Sequence, residues 1–136
     1  MLSRLDRKGA SAGRRRRAYL ALALGTIVAG LAWHLGVRGA PPLLHDLLGD
    51  ALWGMMMVWW MGVAAPRLPL RTRGLAAMAV CVAVELSQAY RTPLLDAIRA
   101  TVPGHLVLGS GYDPRDFLAY AIGVAAAVLL ARWAAE

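Results

Sequence analysis

Cysteine is almost absent from this chain. Its single occurrence, Cys81, excludes an internal disulfide and any zinc site or iron–sulfur cluster built from several cysteines of this chain. Charged residues are also few, 17% of the chain where soluble domains carry about a quarter, so water is not the main solvent. Acidic residues are the scarcer sign: eight Asp and Glu stand against fifteen Lys and Arg, a net charge of +7. Catalytic signatures are missing as well. The sequence has no Gly-x-Ser-x-Gly, no Walker-type phosphate loop, no His-Glu-x-x-His, and no acid, histidine and nucleophile in a recognisable order. No catalytic residue is assigned on this basis, and no cofactor or metal is expected.

Apolar residues make up 59% of the 136 positions, enough for one compact unit with little polar surface. A helix crossing a hydrocarbon core about 30 Å thick needs about 20 mostly apolar residues, because its backbone amides must be satisfied within the segment. Four stretches qualify: 18–37, 43–65, 74–90 and 116–133. They predict an all-α membrane protein, a four-transmembrane-helix bundle forming a single membrane domain over 18–136 behind a basic tail at 1–17. The first span contains no Asp, Glu, Lys or Arg, and the second is opened by Pro41 and Pro42 and closed by Pro66. The fourth places a small residue at every fourth position, Ala119, Gly123, Ala127 and Ala131, which predicts a close helix neighbour and a central position. Trp59, Trp60 and Trp133 fall where an aromatic belt would meet the inner interface.

Direction follows from the basic residues. Arg4, Arg7, Lys8 and the run Arg14 to Arg17 precede the first span, and Arg67, Arg71 and Arg73 lie between the second and third. Retention of such residues on the inner side puts both termini in the cytoplasm of a multi-pass membrane protein. The tail also suits anionic lipid. It does not suit nucleic acid, since no aromatics interleave with it in a folded domain. The first apolar run is longer than a signal-peptide core, and Arg38 disrupts the small-x-small site ending at Ala40, so an uncleaved anchor is expected.

The polar residues inside the spans are the candidates for function, because a charge in hydrocarbon costs about 2.5 to 3.5 kcal/mol and normally faces the bundle interior with a partner. Asp46 and Asp50 share one face of the second span. Glu85, Gln88 and Arg91 follow one another at three-residue steps on the third, and Asp116 stacks on Tyr120 in the fourth. The link 91–115 predicts a short interfacial helix, begun by Thr92 and Pro93 and ended by Pro103 and Gly104, with Asp96 and Arg99 pointing away from its apolar side. A Gly-rich turn then brings Asp113 to the mouth of the bundle. Asp50, Glu85, Gln88, Arg91, Asp113, Asp116 and Tyr120 are thus expected to converge at the outer end. Together with His34, His45 or His105 the carboxylates could supply metal donors, but no ligand spacing is present and Arg91 and Arg115 compete for them.

Gly49-Asp50, Glu85-x-x-Gln88 and Gly111-Tyr112-Asp113-x-x-Asp116-Phe117-x-Ala119-Tyr120-x-x-Gly123 carry a resemblance. In these the chain resembles the small bacterial integral membrane proteins of domain-of-unknown-function family 2809, and more distantly VanZ-like proteins. The resemblance implies four spans in the inner membrane and no assigned reaction, with a link to glycopeptide tolerance among the VanZ-like relatives. Three functions remain in competition. One is a cell-envelope accessory protein whose outer cluster binds a lipid or peptide headgroup, the two Arg capturing its phosphate. Another is a small proton-coupled transporter acting as a homo-oligomer, and the third an intramembrane enzyme on envelope lipids.

Overall fold

The structure, a computed structural model, describes residues 2–109 and 111–134, with side chains from residue 11 onward. Arg4, Arg7 and Lys8 of the tail, whose side chains were expected at the lipid surface, lie outside the described side chains, as does Ser110 of the Gly-rich turn. Among the described residues there are six helices and no strand: α1 (Leu2–Gly36), α2 (Pro42–Ala64), α3 (Leu70–Gln88), α4 (Pro93–Arg99), α5 (Val102–Leu108) and α6 (Asp116–Trp133). The basic segment is therefore not set off from the first apolar run by a break. One helix passes through both.

Three helical segments are long and apolar enough to cross a membrane: Ser11–Gly36, Pro42–Ala64 and Asp116–Trp133. At 1.5 Å per residue they reach about 39, 35 and 27 Å. The third expected span is less clear-cut. Helix α3 is 19 residues long but starts at Leu70, just after Pro69, so Arg71 and Arg73 belong to the helix and not to the loop before it. With Glu85 near its other end, α3 carries too much charge to qualify by composition. The fold holds two of these charges inside. Arg73, 6% exposed, donates Nε to the Leu68 carbonyl at 3.0 Å and lies 4.6 Å above the Tyr19 ring, while Glu85 is completely buried.

The link after α3 holds two short helices where one was expected. Thr92 accepts from the Leu95 amide at 3.2 Å with Pro93 in the first turn, and Thr101 repeats the device on Gly104 at 3.1 Å with Pro103 in its first turn. Pro103 lacks an amide hydrogen, so it begins a second helix where it could not have continued the first. Gly104 sits inside that helix because a Cβ there would overlap the Ile98 carbonyl.

Lipid tails are as apolar as leucine, so helices in a bilayer gain from close packing and not from escaping water. The core matches that rule. Ala23, Ala77 and Ala127 are fully buried beside Val58, Trp59 and Val124. A Cβ on Gly54 would come within 2.8 Å of the Tyr120 carbonyl oxygen, and one on Gly123 would overlap the Ala51 carbonyl. These reciprocal contacts make α2–α6 the tightest crossing and give the small-residue stripe of α6 its partner. The hub, however, is α2, which packs against α1, α3 and α6, whereas α6 packs against α2 and α3. Trp59 also departs from the expected belt. It is 2% exposed and stacks on Tyr19 with ring centroids 6.3 Å apart.

Candidate functional site

Helices α1 and α2 run in opposite directions, and α3 ends where α6 begins. The C-terminal half of α1, the N-terminal half of α2, the end of α3 and the start of α6 therefore meet at one end of the bundle. Glu85 is the buried centre of that end. Its Oε1 accepts the Asp113 amide at 2.8 Å, and its Oε2 accepts the Tyr120 hydroxyl at 3.1 Å and Gln88 Nε2 at 3.2 Å. Gln88 extends the network: its Oε1 accepts the Gly111 amide at 3.1 Å. Two side chains of α3 thus hold down the turn that leads into α6. Gly109 fits this turn because its φ is +65° and a Cβ would lie 2.7 Å from Gln88 Nε2. A buried carboxylate is tolerated only when its acceptors are met, and these donors meet them.

In front of this network opens a cavity of about 570 Å³. Asp50, Gln88, Asp113, Asp116 and Tyr120 line it, whereas Glu85 stands behind the wall and Arg91 is not part of it. Asp50 of α2 and Asp116 of α6 stand beside the crossing of their two helices, both on the cavity wall.

The expected cluster is therefore partly joined. Glu85, Gln88, Tyr120 and the Asp113 backbone form one hydrogen-bonded unit, and Asp50 and Asp116 stand beside it. The Asp113 carboxylate turns away to the Arg115 amide at 2.9 Å and the Arg115 Nε at 3.2 Å. The Arg115 amide, with help from its guanidinium, holds the Asp113 carboxyl below its ordinary value of 3.8 against a smaller opposing effect of desolvation. Arg91 is exposed and reaches Asp96 at 3.4 Å. Among the described residues no Lys or Arg lines the cavity.

Asp46, His34, His45 and His105, which the sequence had marked, also line the cavity, together with Trp33 and Trp53, which it had not. Trp33 stacks on His45 at 5.7 Å and donates Nε1 to the His45 carbonyl at 3.1 Å, which ties the end of α1 to the start of α2. Trp53 Nε1 is buried with no hydrogen-bond partner among the described residues. Arg99 was expected to point away, yet it is 6% exposed and caps α3, donating to the Ser87 carbonyl at 2.5 Å and to the Tyr90 carbonyl at 2.9 Å. An arginine can serve from outside a helix because the last carbonyls have no partner within it. The signal available was only the apolar stripe of α4, which does not say where its polar side is received. Among the described residues no group of three or more His, Cys, Asp or Glu is arranged to hold a metal ion.

The architecture and the site together define a small helical protein of membrane type, with a polar-walled cavity at one end of the bundle. Over residues 39–124 the sequence matches the family described as Protein of unknown function (DUF2809), and the chain belongs to that family. The match takes in α2 to α5 and the first half of α6, and so both carboxyl groups of the Asp50–Asp116 pair and the whole Glu85 network. No solved structure matches the chain.

Proposed function

We propose that the chain is a four-span inner-membrane protein with both termini cytoplasmic, and that its cavity binds the ammonium-bearing headgroup of a cell-envelope lipid or peptide. The observation that carries this reading is the make-up of the cavity wall. Acidic Asp46, Asp50 and Asp116 share it with the rings of Trp33, Trp53 and Tyr120, and among the described residues no Lys or Arg takes part. An ammonium group is attracted both by carboxylates and by the faces of aromatic rings, and a low-dielectric surround strengthens both attractions. It would also supply the positive charge that the Asp50–Asp116 pair otherwise lacks. The four-span reading is supported by the separate internal partners of Arg73, on the Leu68 carbonyl, and of Glu85, under the Tyr120 hydroxyl, which lower the cost of placing α3 beside its apolar neighbours.

Photocrosslinking in nanodiscs tests this. A photoactivatable phosphatidylethanolamine should label the wild type about tenfold more than the Asp50→Asn/Asp116→Asn double variant, and its N-acetylated analogue should label both weakly. Equal labelling by the amine and its acetylated form would overturn the proposal. A second reading, a proton-coupled transporter acting as an oligomer, draws on the same carboxyl pair. It requires amine uptake into proteoliposomes that follows an imposed pH gradient, and uptake indifferent to the gradient would remove it.

A further inference from the structure

The opposite end of the bundle holds a second recess, of about 550 Å³, between the basic part of α1 and the turn after α2. Its walls are mostly small, Ala12 and Gly13 on one side and Ala64 and Ala65 on the other, with Arg16 and Arg67 as its charged groups and no carboxylate among its lining residues. A Cβ at Gly13 would meet no atom within 4 Å, so the space is open on that side.

Arg16 is fixed in place. Its Nε donates to the Val63 carbonyl at 3.0 Å, satisfying one of the last carbonyls of α2 and holding the guanidinium at the rim. That bond uses one nitrogen and leaves the terminal pair, whose parallel N–H groups match two oxygens of a phosphate. Arg67 stands on the other rim. The recess also lies where Pro42–Ala64 reaches its end, at the depth of lipid headgroups for a helix that crosses a bilayer.

We propose that Arg16 and Arg67 form a cradle for the phosphodiester of an anionic phospholipid, distinct from the diffuse attraction of the neighbouring arginines. The proposal is independent of what the cavity at the other end binds. It differs from a general charge effect in one respect that can be measured: position matters, not the number of charges. Arg14 and Arg15 are exposed on the same helix and do not line the recess, so they provide a control of equal charge.

The test is native mass spectrometry of protein released from phosphatidylcholine nanodiscs containing phosphatidylglycerol. Wild type and Arg14→Gln/Arg15→Gln should retain one phosphatidylglycerol to the same extent, and Arg16→Gln/Arg67→Gln should retain about tenfold less. Equal loss in the two double variants would overturn the cradle in favour of diffuse charge. Retention of inorganic phosphate by the detergent-purified protein, with no phosphatidylglycerol retained, would overturn the lipid as occupant. Should removing the Arg16 bond to Val63 prevent folding, Arg67→Gln alone carries the test, with Arg14→Gln as its control.

Discussion

Single residues divide the polar end of the bundle into a support and a face. Glu85 and Gln88 spend their hydrogen bonds on the turn into α6, while Asp50 and Asp116 turn towards the cavity. Glu85→Gln keeps the shape but removes one of two acceptor oxygens, leaving one of three donors without a partner. The expected cost is about 1 to 3 kcal/mol in a denaturation series, with faster hydrogen exchange at Asp113. Asp113 allows a pH test outside the spans. Its carboxyl is held below 3.8 in the folded protein, so the bond to the Arg115 amide is complete above that value and is lost as pH falls through the lower folded pKa. Arg115→Gln removes the guanidinium but keeps the amide, so an NMR titration should find the Asp113 pKa moved only part of the way back towards 3.8. Full restoration would mean that the amide contributes nothing. The sequence pointed to these acids through helical spacing, because Glu85 and Gln88 lie one turn apart and so do Asp116 and Tyr120. It could not separate support from face, since that depends on which donors the turn at 109–115 brings to Glu85.

Elements pack here by removal of side chains. The α2–α6 crossing rests on Gly54 and Gly123 against opposing backbone, and flexible side chains cannot yield there. Gly123→Ala should therefore cost about 2 kcal/mol or more in a detergent unfolding titration. Gly25→Ala, where a Cβ meets nothing within 4 Å, should change stability by less than about 1 kcal/mol, in the stabilising direction set by helix propensity. Similar losses at both positions would contradict this account of the crossing. The periodic small residues of α6 made this contact legible, because Ala119, Gly123 and Ala127 fall on one stripe. The central role of α2 was not legible, since its neighbours depend on loop geometry and not on its own pattern. The break between α4 and α5 was misread for a related reason: Pro103 ends one helix and starts another with equal ease, and only the Thr101 cap decides between them.

At the scale of the whole molecule, the lone cysteine is a reporter. Cys81 is fully buried within α3, so a maleimide should react with it only when the bundle opens. Labelling should be negligible in the native protein in mild detergent and complete in SDS, and rapid native labelling would show that α3 is not enclosed by its neighbours. The same readout verifies folding of each variant above. Composition alone made the membrane class legible, because long apolar runs have few other uses. The place of α3 was harder to read, since its charged groups meet partners far away in sequence, Tyr19 for Arg73 and Tyr120 for Glu85. One asymmetry in the packing has a consequence for access. The backbone of α1 approaches α2 alone, while Thr26, Ile27, Gly30 and Leu31 of α1 form a side of the cavity. That side of the cavity is therefore closed by the α1–α2 seam, with Tyr19 over Arg73 as the link to α3, and not by α6.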